Sequence, residues 1–280
     1  MKNSRISLRN LNTRTVLIVA AIVLSLIAFG AFRLYQKSAE KNEAPVIKFD
    51  KSSVTMSVSA TDAQLLRGVT ATDKEDGDVS SSLVVEGYSH LMSDNSAVVT
   101  YVAFDSNNHI AKATRVVRFT DYIDPEFYLT APLVCTISEI DKIPLLVGAT
   151  DCFDGDISTR VRVTPTDDKA ITEEGEHTIE LRVTNSLGVT EHLTLPVEVV
   201  RSTNNRMELT LTDYLIYLPV GSEFNAEDYF KSYLSDGERH VGMTGEIYAD
   251  TGELDMETAG IYTVDYECGD SLTRLIVVVY

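Results

Sequence analysis

Gly-Val-Thr-Ala-Thr-Asp-Lys-Glu-Asp-Gly-Asp, residues 68–78, returns as Val-Gly-Ala-Thr-Asp-Cys-Phe-Asp-Gly-Asp, residues 147–156. The shared element is A-T-D-x-x-D-G-D, with Gly77 and Gly155 78 positions apart. A third, eroded copy lies at Ser235-Asp236-Gly237, 82 positions further on. Self-similarity at a fixed period marks repeated structural units. Each copy is followed by an alternating run that stops at a turn: residues 97–105 before Ser106-Asn107-Asn108, 177–185 before Ser186-Leu187-Gly188, and 261–268 before Gly269-Asp270. A closing strand then follows in each, over residues 110–119, 189–200 and 272–279. Apolar residues at every second position, bounded by Gly, Asn and Asp, belong to strands joined by hairpins.

Outward from these runs, helical periodicity is nearly absent; residues 225–234 alone suggest a short helix. Three units of about 75 residues, each with six or seven short strands, predict an all-β chain. The expected architecture is three tandem immunoglobulin-like β-sandwiches behind one transmembrane helix. The expected domains are 44–121, 124–201 and 206–280, preceded by a basic tail (1–14), a membrane helix (15–35) and a stalk (36–43).

The helix rests on residues 15–32, TVLIVAAIVLSLIAFGAF, eighteen positions without a charge. As a helix they cover roughly 27 Å, close to the hydrocarbon thickness of a bilayer, which is the predicted partner of Thr15 to Phe32. Arg14 and Arg33 bracket the run and can snorkel, and Tyr35 suits the interface. Lys2, Arg5, Arg9 and Arg14 precede it without an acid, which favours a cytoplasmic N-terminus with the bulk of the chain outside. The rival is a signal peptide cut near Gly30, at Ala28-Phe29-Gly30, with release of the remainder. Against cleavage, the apolar run passes through that site to Phe32 with no polar segment before it.

Charge divides the same way. The chain holds 24 Lys and Arg against 42 Asp and Glu, a formal charge of -18. Residues 1–41 carry 7 basic residues and the single acid Glu40; residues 42–280 carry 17 basic and 41 acidic residues, a charge of -24. Nucleic acid is excluded as a partner, since phosphate binding needs clustered Lys and Arg.

Pro45-Val46-Ile47, A-T-D-x-x-D-G-D, and Tyr-Val-Ala-Phe-Asp-Ser-Asn-Asn at 101–108 before Thr-Arg-Val-Val at 114–117 together resemble a bacterial immunoglobulin-like repeat. That repeat is known from pesticidal crystal toxins and exported proteins of Gram-positive bacteria, and is related to the hyalin-type repeat. The resemblance spans residues 44–200; the third unit keeps mainly the pattern. It implies a cell-surface sandwich, usually in arrays, and no single activity.

In such a sandwich the loop after the second strand and the loop before the last lie at one end. Asp73, Asp76 and Asp78 are therefore expected beside Asp105, and Asp151, Asp154 and Asp156 beside Asn185, where Asp121 and Asp124 of the first linker also fall. Crowded carboxylates repel unless solvated or bridged, and Ca2+ takes six to eight oxygens, so these nine aspartates are candidate Ca2+ ligands. The competing reading is turn chemistry, with Asp-Gly forming tight turns and the flanking carboxylates accepting local backbone N–H bonds. An EF-hand is excluded: with Gly77 at loop position 6, positions 1 and 12 would be Thr72 and Leu83. The second linker, 201–206, has no acid, so that junction should be free of metal and the looser of the two.

No catalytic pattern is found. His90, His109, His177, His192 and His240 are scattered without zinc spacing, and there is no G-x-S-x-G elbow, phosphate loop or S-x-x-K. Cys135 and Cys152 are 17 apart and could bridge, though Cys268 would be left over; free, partly buried thiols are the simpler reading. Eight of the thirteen tyrosines fall in residues 206–280. They serve either as core filler in a chain without Trp, or as outward contacts for sugar rings or protein. The sequence thus predicts a non-catalytic surface protein. Its first two units are a spacer of roughly 80 Å, at about 40 Å each, and its third meets an extracellular protein or glycan. A structural subunit of an envelope or pilus-like assembly, or a glycan-binding part of cell-wall or exopolysaccharide machinery, are the alternatives.

Overall fold

The computed structural model describes residues 13–39, 43–166, 170–202 and 207–280. The basic side chains Lys2, Arg5 and Arg9, part of the stalk, and residues 203–206 of the second linker lie outside them. The protein is all-β after one N-terminal apolar helix, α1 (Thr13–Ala39). Its span Arg14–Gln36 is long and apolar enough to cross a membrane, and none of it is buried.

Among the described residues twenty-one strands follow, seven per repeat. The first repeat has β1 (Val46–Phe49), β2 (Ser53–Met56), β3 (Val69–Asp73), β4 (Gly77–Asp78), β5 (Val84–Tyr88), β6 (Ser96–Phe104) and β7 (Ile110–Phe119). The second has β8 (Glu126–Leu129), β9 (Val134–Cys135), β10 (Val147–Asp151), β11 (Gly155–Asp156), β12 (Arg162–Pro165), β13 (Gly175–Thr184) and β14 (Thr190–Val199). The third has β15 (Met207–Leu211), β16 (Leu215–Leu218), β17 (Phe230–Ser235), β18 (Glu238–Val241), β19 (Tyr248–Asp250), β20 (Gly260–Cys268) and β21 (Ser271–Val279).

Each repeat makes a three-stranded and a four-stranded sheet in one immunoglobulin-like pattern: β1-β3-β4 with β2-β7-β6-β5, then β8-β10-β11 with β9-β14-β13-β12, then β15-β17-β18 with β16-β21-β20-β19. The opening strand is split. Its first half pairs antiparallel in the small sheet (β1 with β3), and its second half pairs parallel with the closing strand (β2 with β7). The same switch recurs in β8/β9 and in β15/β16.

The chain forms two compact units. One contains the described residues up to Ser52 with Thr61–Gly87 and Val99–Arg115; the other contains Ser53–Ala60, Tyr88–Val98 and Val116–Tyr280. In the first unit the core is partly polar. Arg115 is 1% exposed and donates to the carbonyls of Leu65 and Arg67 and to the Tyr101 hydroxyl. Its guanidinium lies over the rings of Phe49 and Tyr101. The equivalent strand of the second repeat buries leucine at Leu195 instead.

In the second unit, repeats two and three share side chains in one core. Strand β21 is buried along nearly its whole length. Leu275, Val277 and Val279 face the third repeat's own core, whereas Ile276 and Val278 join the core of the second repeat. Strand β16 divides likewise, with Leu215 and Tyr217 on one side and Ile216 and Leu218 on the other. The Tyr217 hydroxyl accepts from the Phe127 N–H at 3.2 Å. Arg274 makes two hydrogen bonds to Asp265, at 2.6 and 2.8 Å, and lies 3.7 Å from Glu198 and 3.9 Å from Glu176 of the second repeat. The loose second junction suggested by the acid-free linker is therefore not what joins these repeats. Apolar packing does.

Three short helical turns separate the split opening strand from the next one: Asp62–Leu65, Ile137–Leu145 and Ala226–Tyr229. The Gln64 and Glu139 side chains accept the backbone N–H of Thr61 and Thr136, as the third helical residue does in a capping box. The helix expected over 225–234 is only the turn Ala226–Tyr229, capped by the Asn225 side chain. From Phe230 the chain is strand, because Phe230 and Ser232 alternate inward.

Candidate metal centre

The A-T-D-x-x-D-G-D segment is the hairpin between the second and third strands of the small sheet. In repeat one Asp73 pairs with Gly77 across a three-residue loop, and in repeat two Asp151 pairs with Gly155. Gly77 (φ 76°) and Gly155 (φ 74°) occupy the left-handed region that closes such a loop. In repeat three Ser235 pairs with Glu238 across two residues, Asp236 (φ 53°) and Gly237 (φ 83°), a tighter turn with positive φ at both positions. The eroded copy thus keeps its place in the fold with a loop one residue shorter, and opens on Ser235 where the others open on Asp73 and Asp151.

In repeat one, Asp73 Oδ1 accepts the N–H groups of Glu75 (2.8 Å) and Asp76 (2.9 Å), and Asp76 takes the Ser106 N–H (2.7 Å) and Oγ–H (3.0 Å). Asp105 Oδ1 accepts from the N–H of Asn107 and of His109, both at 2.8 Å, and its Oδ2 lies 2.7 Å from His109 Nδ1. One carboxylate oxygen from each of Asp73, Asp76 and Asp105 falls within 4.8 Å of the others. Asp73 is 8% and Asp105 3% exposed. Hydrogen bonds led by the Asp76 N–H hold the Asp73 carboxyl below its usual range, against burial and the Asp105 charge. For Asp105, burial acts upward most strongly, but the His109 and backbone hydrogen bonds together bring it below the usual range.

Repeat two reproduces the frame with different chemistry. Asp151 Oδ1 accepts the N–H of Phe153 (2.9 Å) and Asp154 (2.7 Å), and Asp154 takes Ser186 N–H and Oγ–H, at 2.7 and 2.6 Å. At the position of Asp105 stands Asn185, whose Nδ2 donates to Asp151 Oδ2 and to the Tyr122 hydroxyl, each at 2.9 Å. Arg160, where repeat one has Ser82, pairs with Asp154.

The remaining candidates are outside the trio of Asp73, Asp76 and Asp105, and Asp121 and Asp124 act electrostatically on Cys152 and Tyr122 beside the second acidic loop. Asp78 and Asp156 each accept the N–H two residues on, from Ser80 and Ser158, at 2.9 Å. Asp121 takes Ser57 Oγ–H (2.6 Å) and the Val58 N–H (2.8 Å). Asp124 has its charge near Tyr122 and Glu191, whose ionisation it opposes. Near the first linker the second unit contains aromatic rings: Phe153, from the second acidic loop, meets Tyr88 edge-on at 5.0 Å and Phe119 at 5.9 Å. The Leu91 N–H bonds the Leu187 carbonyl at 2.8 Å. Sequence reasoning named the aspartates but missed Ser106, Ser186 and His109. The Asp-Ser-Asn-Asn-His and Asn-Ser-Leu-Gly turns that carry them were the available signal.

No family model matches the chain. An uncharacterized 81.3 kDa protein of Acholeplasma phage L2 is 28% identical over 144 residues, covering 49% of this chain and 19% of the phage protein. This chain therefore spans about a fifth of that relative's length. Among solved structures, a CBM51-2 structure in complex with GlcNAc and INT domains from Clostridium perfringens ZmpB is similar at 14% identity and TM-score 0.23, over 84% of this chain and 41% of that one. The extracellular cadherin domains 1–5 of protocadherin gamma B2 match at 12% identity and TM-score 0.20, over 85% and 60%. Domains 4–9 of surface layer protein SbsC match at 10% identity and TM-score 0.21, over 85% and 48%.

Proposed function

We propose that the protein is a non-catalytic, membrane-anchored surface protein whose immunoglobulin-like domains hold and present an interaction surface outside the cell. The observation that carries this reading is the helix Arg14–Gln36, whose apolar side chains are covered by nothing else among the described residues. A helix that is apolar all round needs a hydrocarbon environment, where its backbone is satisfied internally. The basic residues that flank it orient the acidic sandwiches outward. Repeats of the bacterial immunoglobulin-like type, which residues 44–200 resemble, fit such a surface.

The third repeat is the proposed contact surface for an extracellular protein or glycan. Tyr248 is 65% and Tyr280 66% exposed there, the amphipathic rings that sugar and protein contacts favour. Because repeats two and three share a core, the presenting element is the pair rather than a terminal bead.

The test is membrane fractionation of cells expressing the full chain, followed by protease treatment of intact cells. The anchor predicts a carbonate-resistant membrane protein with repeats digested from outside and an unprocessed N-terminus. A soluble product beginning after Gly30 would refute the anchor. Capture on a glycan array, against co-purification of envelope subunits, separates a glycan reader from an assembly subunit.

A further inference from the structure

We infer that repeat one binds a single Ca2+ ion between Asp73, Asp76 and Asp105, and that repeat two has exchanged the same site for protein groups. The inference is independent of the membrane reading. It rests first on Asp73 Oδ2. That oxygen is buried in a side chain 8% exposed, and it has no hydrogen-bond partner among the described residues, while its sister Oδ1 holds two backbone N–H groups. A buried carboxylate oxygen without a donor is costly, more so with a second buried carboxylate beside it. One carboxylate oxygen from each of Asp73, Asp76 and Asp105 lies within 4.8 Å of the other two. A cation among them would satisfy Asp73 Oδ2 and offset all three charges while leaving the existing Ser106 and His109 hydrogen bonds in place.

The second repeat supplies the comparison. Its frame is the same down to the two N–H bonds on Asp151 Oδ1 and the serine clamp on the second aspartate. The oxygen equivalent to Asp73 Oδ2, Asp151 Oδ2, receives an amide N–H from Asn185 at 2.9 Å. The exposed aspartate, Asp154, receives Arg160. Thus Asp105 became Asn185 and Ser82 became Arg160. One change removes a negative charge and adds a donor, and the other adds a positive charge. Both substitutions do what a cation would do in repeat one.

Ca2+ fits this site better than Mg2+. Its 6–8 oxygen ligands at 2.3–2.6 Å tolerate irregular geometry and water, whereas Mg2+ demands a near-ideal octahedron at 2.0–2.1 Å. Asp76 is exposed, so water can complete the shell.

The experiment is calorimetric titration of the EDTA-treated full chain in detergent with CaCl2, and separately with MgCl2, beside thermal melts. The expected result is one saturable Ca2+ site with a dissociation constant on the order of 10⁻⁴–10⁻³ M, as in extracellular modules, and a melting temperature that rises with Ca2+. Asp105→Asn should abolish saturable binding without lowering the metal-free melting temperature, because the new amide can serve Asp73 Oδ2 as Asn185 serves Asp151. Asp76→Asn, on the exposed loop, should weaken binding at least tenfold and covers the case in which Asp105→Asn fails to fold. Asp154→Asn should leave binding unchanged. No saturable heat up to about 10 mM Ca2+, equal responses to Mg2+ and Ca2+, or wild-type affinity in both repeat-one variants would overturn the inference.

Discussion

Replacing Ile276 by alanine should loosen two repeats at once. Ile276 is 0% exposed and belongs to the core of the second repeat, although its strand closes the third. The substitution removes three buried carbons from a wall clamped on either side by β-sheet, so the cavity has little room to collapse. Ile→Ala at such sites costs 2–5 kcal/mol, and the constrained setting places this one at about 3–4 kcal/mol. For a cooperative body of 150–250 residues each kcal/mol moves the melting temperature by 2–4 °C, which gives a fall of about 6–16 °C. Val277→Ala, one position along and facing the third repeat's own core, is the comparison. The assay is calorimetry with peptide-resolved hydrogen exchange on the full chain. With Ile276→Ala, protection should fall together in β8–β14 and β15–β21, under one transition. If the loss is confined to β15–β21, or if two transitions separate and only one moves, the shared core does not couple the repeats and the reasoning is wrong.

Other perturbations address single sites. Tyr101→Phe removes the hydroxyl that accepts from the buried Arg115 at 2.9 Å and reaches the Leu65 carbonyl at 3.1 Å; a loss of about 1.5–3 kcal/mol is expected, read from the urea midpoint at unchanged slope. Without reductant, an alkylating reagent should modify exposed Cys152 first, half-buried Cys268 more slowly and Cys135 only on unfolding. Burial pushes the Cys135 and Cys152 thiols up, so labelling at neutral pH should be slow; fewer than three adducts on the unfolded chain would reveal a bridge. Asp121 is held below the usual carboxylate range, first by Ser57 Oγ–H and then by the Val58 N–H. Its stabilising contribution is therefore complete above a pH of about 4 and is lost as pH falls through the lower folded value. Asp121→Asn should flatten that part of the acid limb, and an unchanged limb would show that the bonds carry no stability.

The strands were legible because one face of each meets a core and the other meets water. Residues 110–119 of the closing run are β7 with no shift, and the alternating runs are off by one or two residues at their ends. What escaped was local hydrogen bonding rather than periodicity. Thr61-Asp62-Ala63-Gln64 and Thr136-Ile137-Ser138-Glu139 each carry the T-x-x-Q/E spacing that starts a helical turn; Asp62–Leu65 is too short to show an apolar stripe, and Ile137, Ile140 and Ile143 recur at the three-residue spacing of a 3-10 turn rather than at the α-helical period. The acidic motif was visible, and the proximity of Asp73 to Asp105 followed from strand order. Which carboxylate was left unsatisfied could not, since that depends on where one amide of Asn185 reaches.

The clearest case is residues 272–279, Leu-Thr-Arg-Leu-Ile-Val-Val-Val. Read alone, five consecutive apolar positions at the end of an all-β domain contradict a one-faced strand, because alternation should break them. A strand with both faces covered needs no alternation, and the only material available to cover the second face is another part of the chain or a partner. The arginine in that run carries the same message: Arg274 lies in register with Ile276 and Val278, and a charge on a buried face requires carboxylates opposite it. Asp265 from its own repeat, with Glu176 and Glu198 from the neighbour, are those carboxylates. Burial of that guanidinium is offset by its paired acids, and the hydrogen bonds to Asp265 raise its hold on the proton further. An unbroken apolar strand containing one arginine is thus a sequence-level sign of a docked face. It places the joint between repeats two and three on β21 and β16 rather than in the linker.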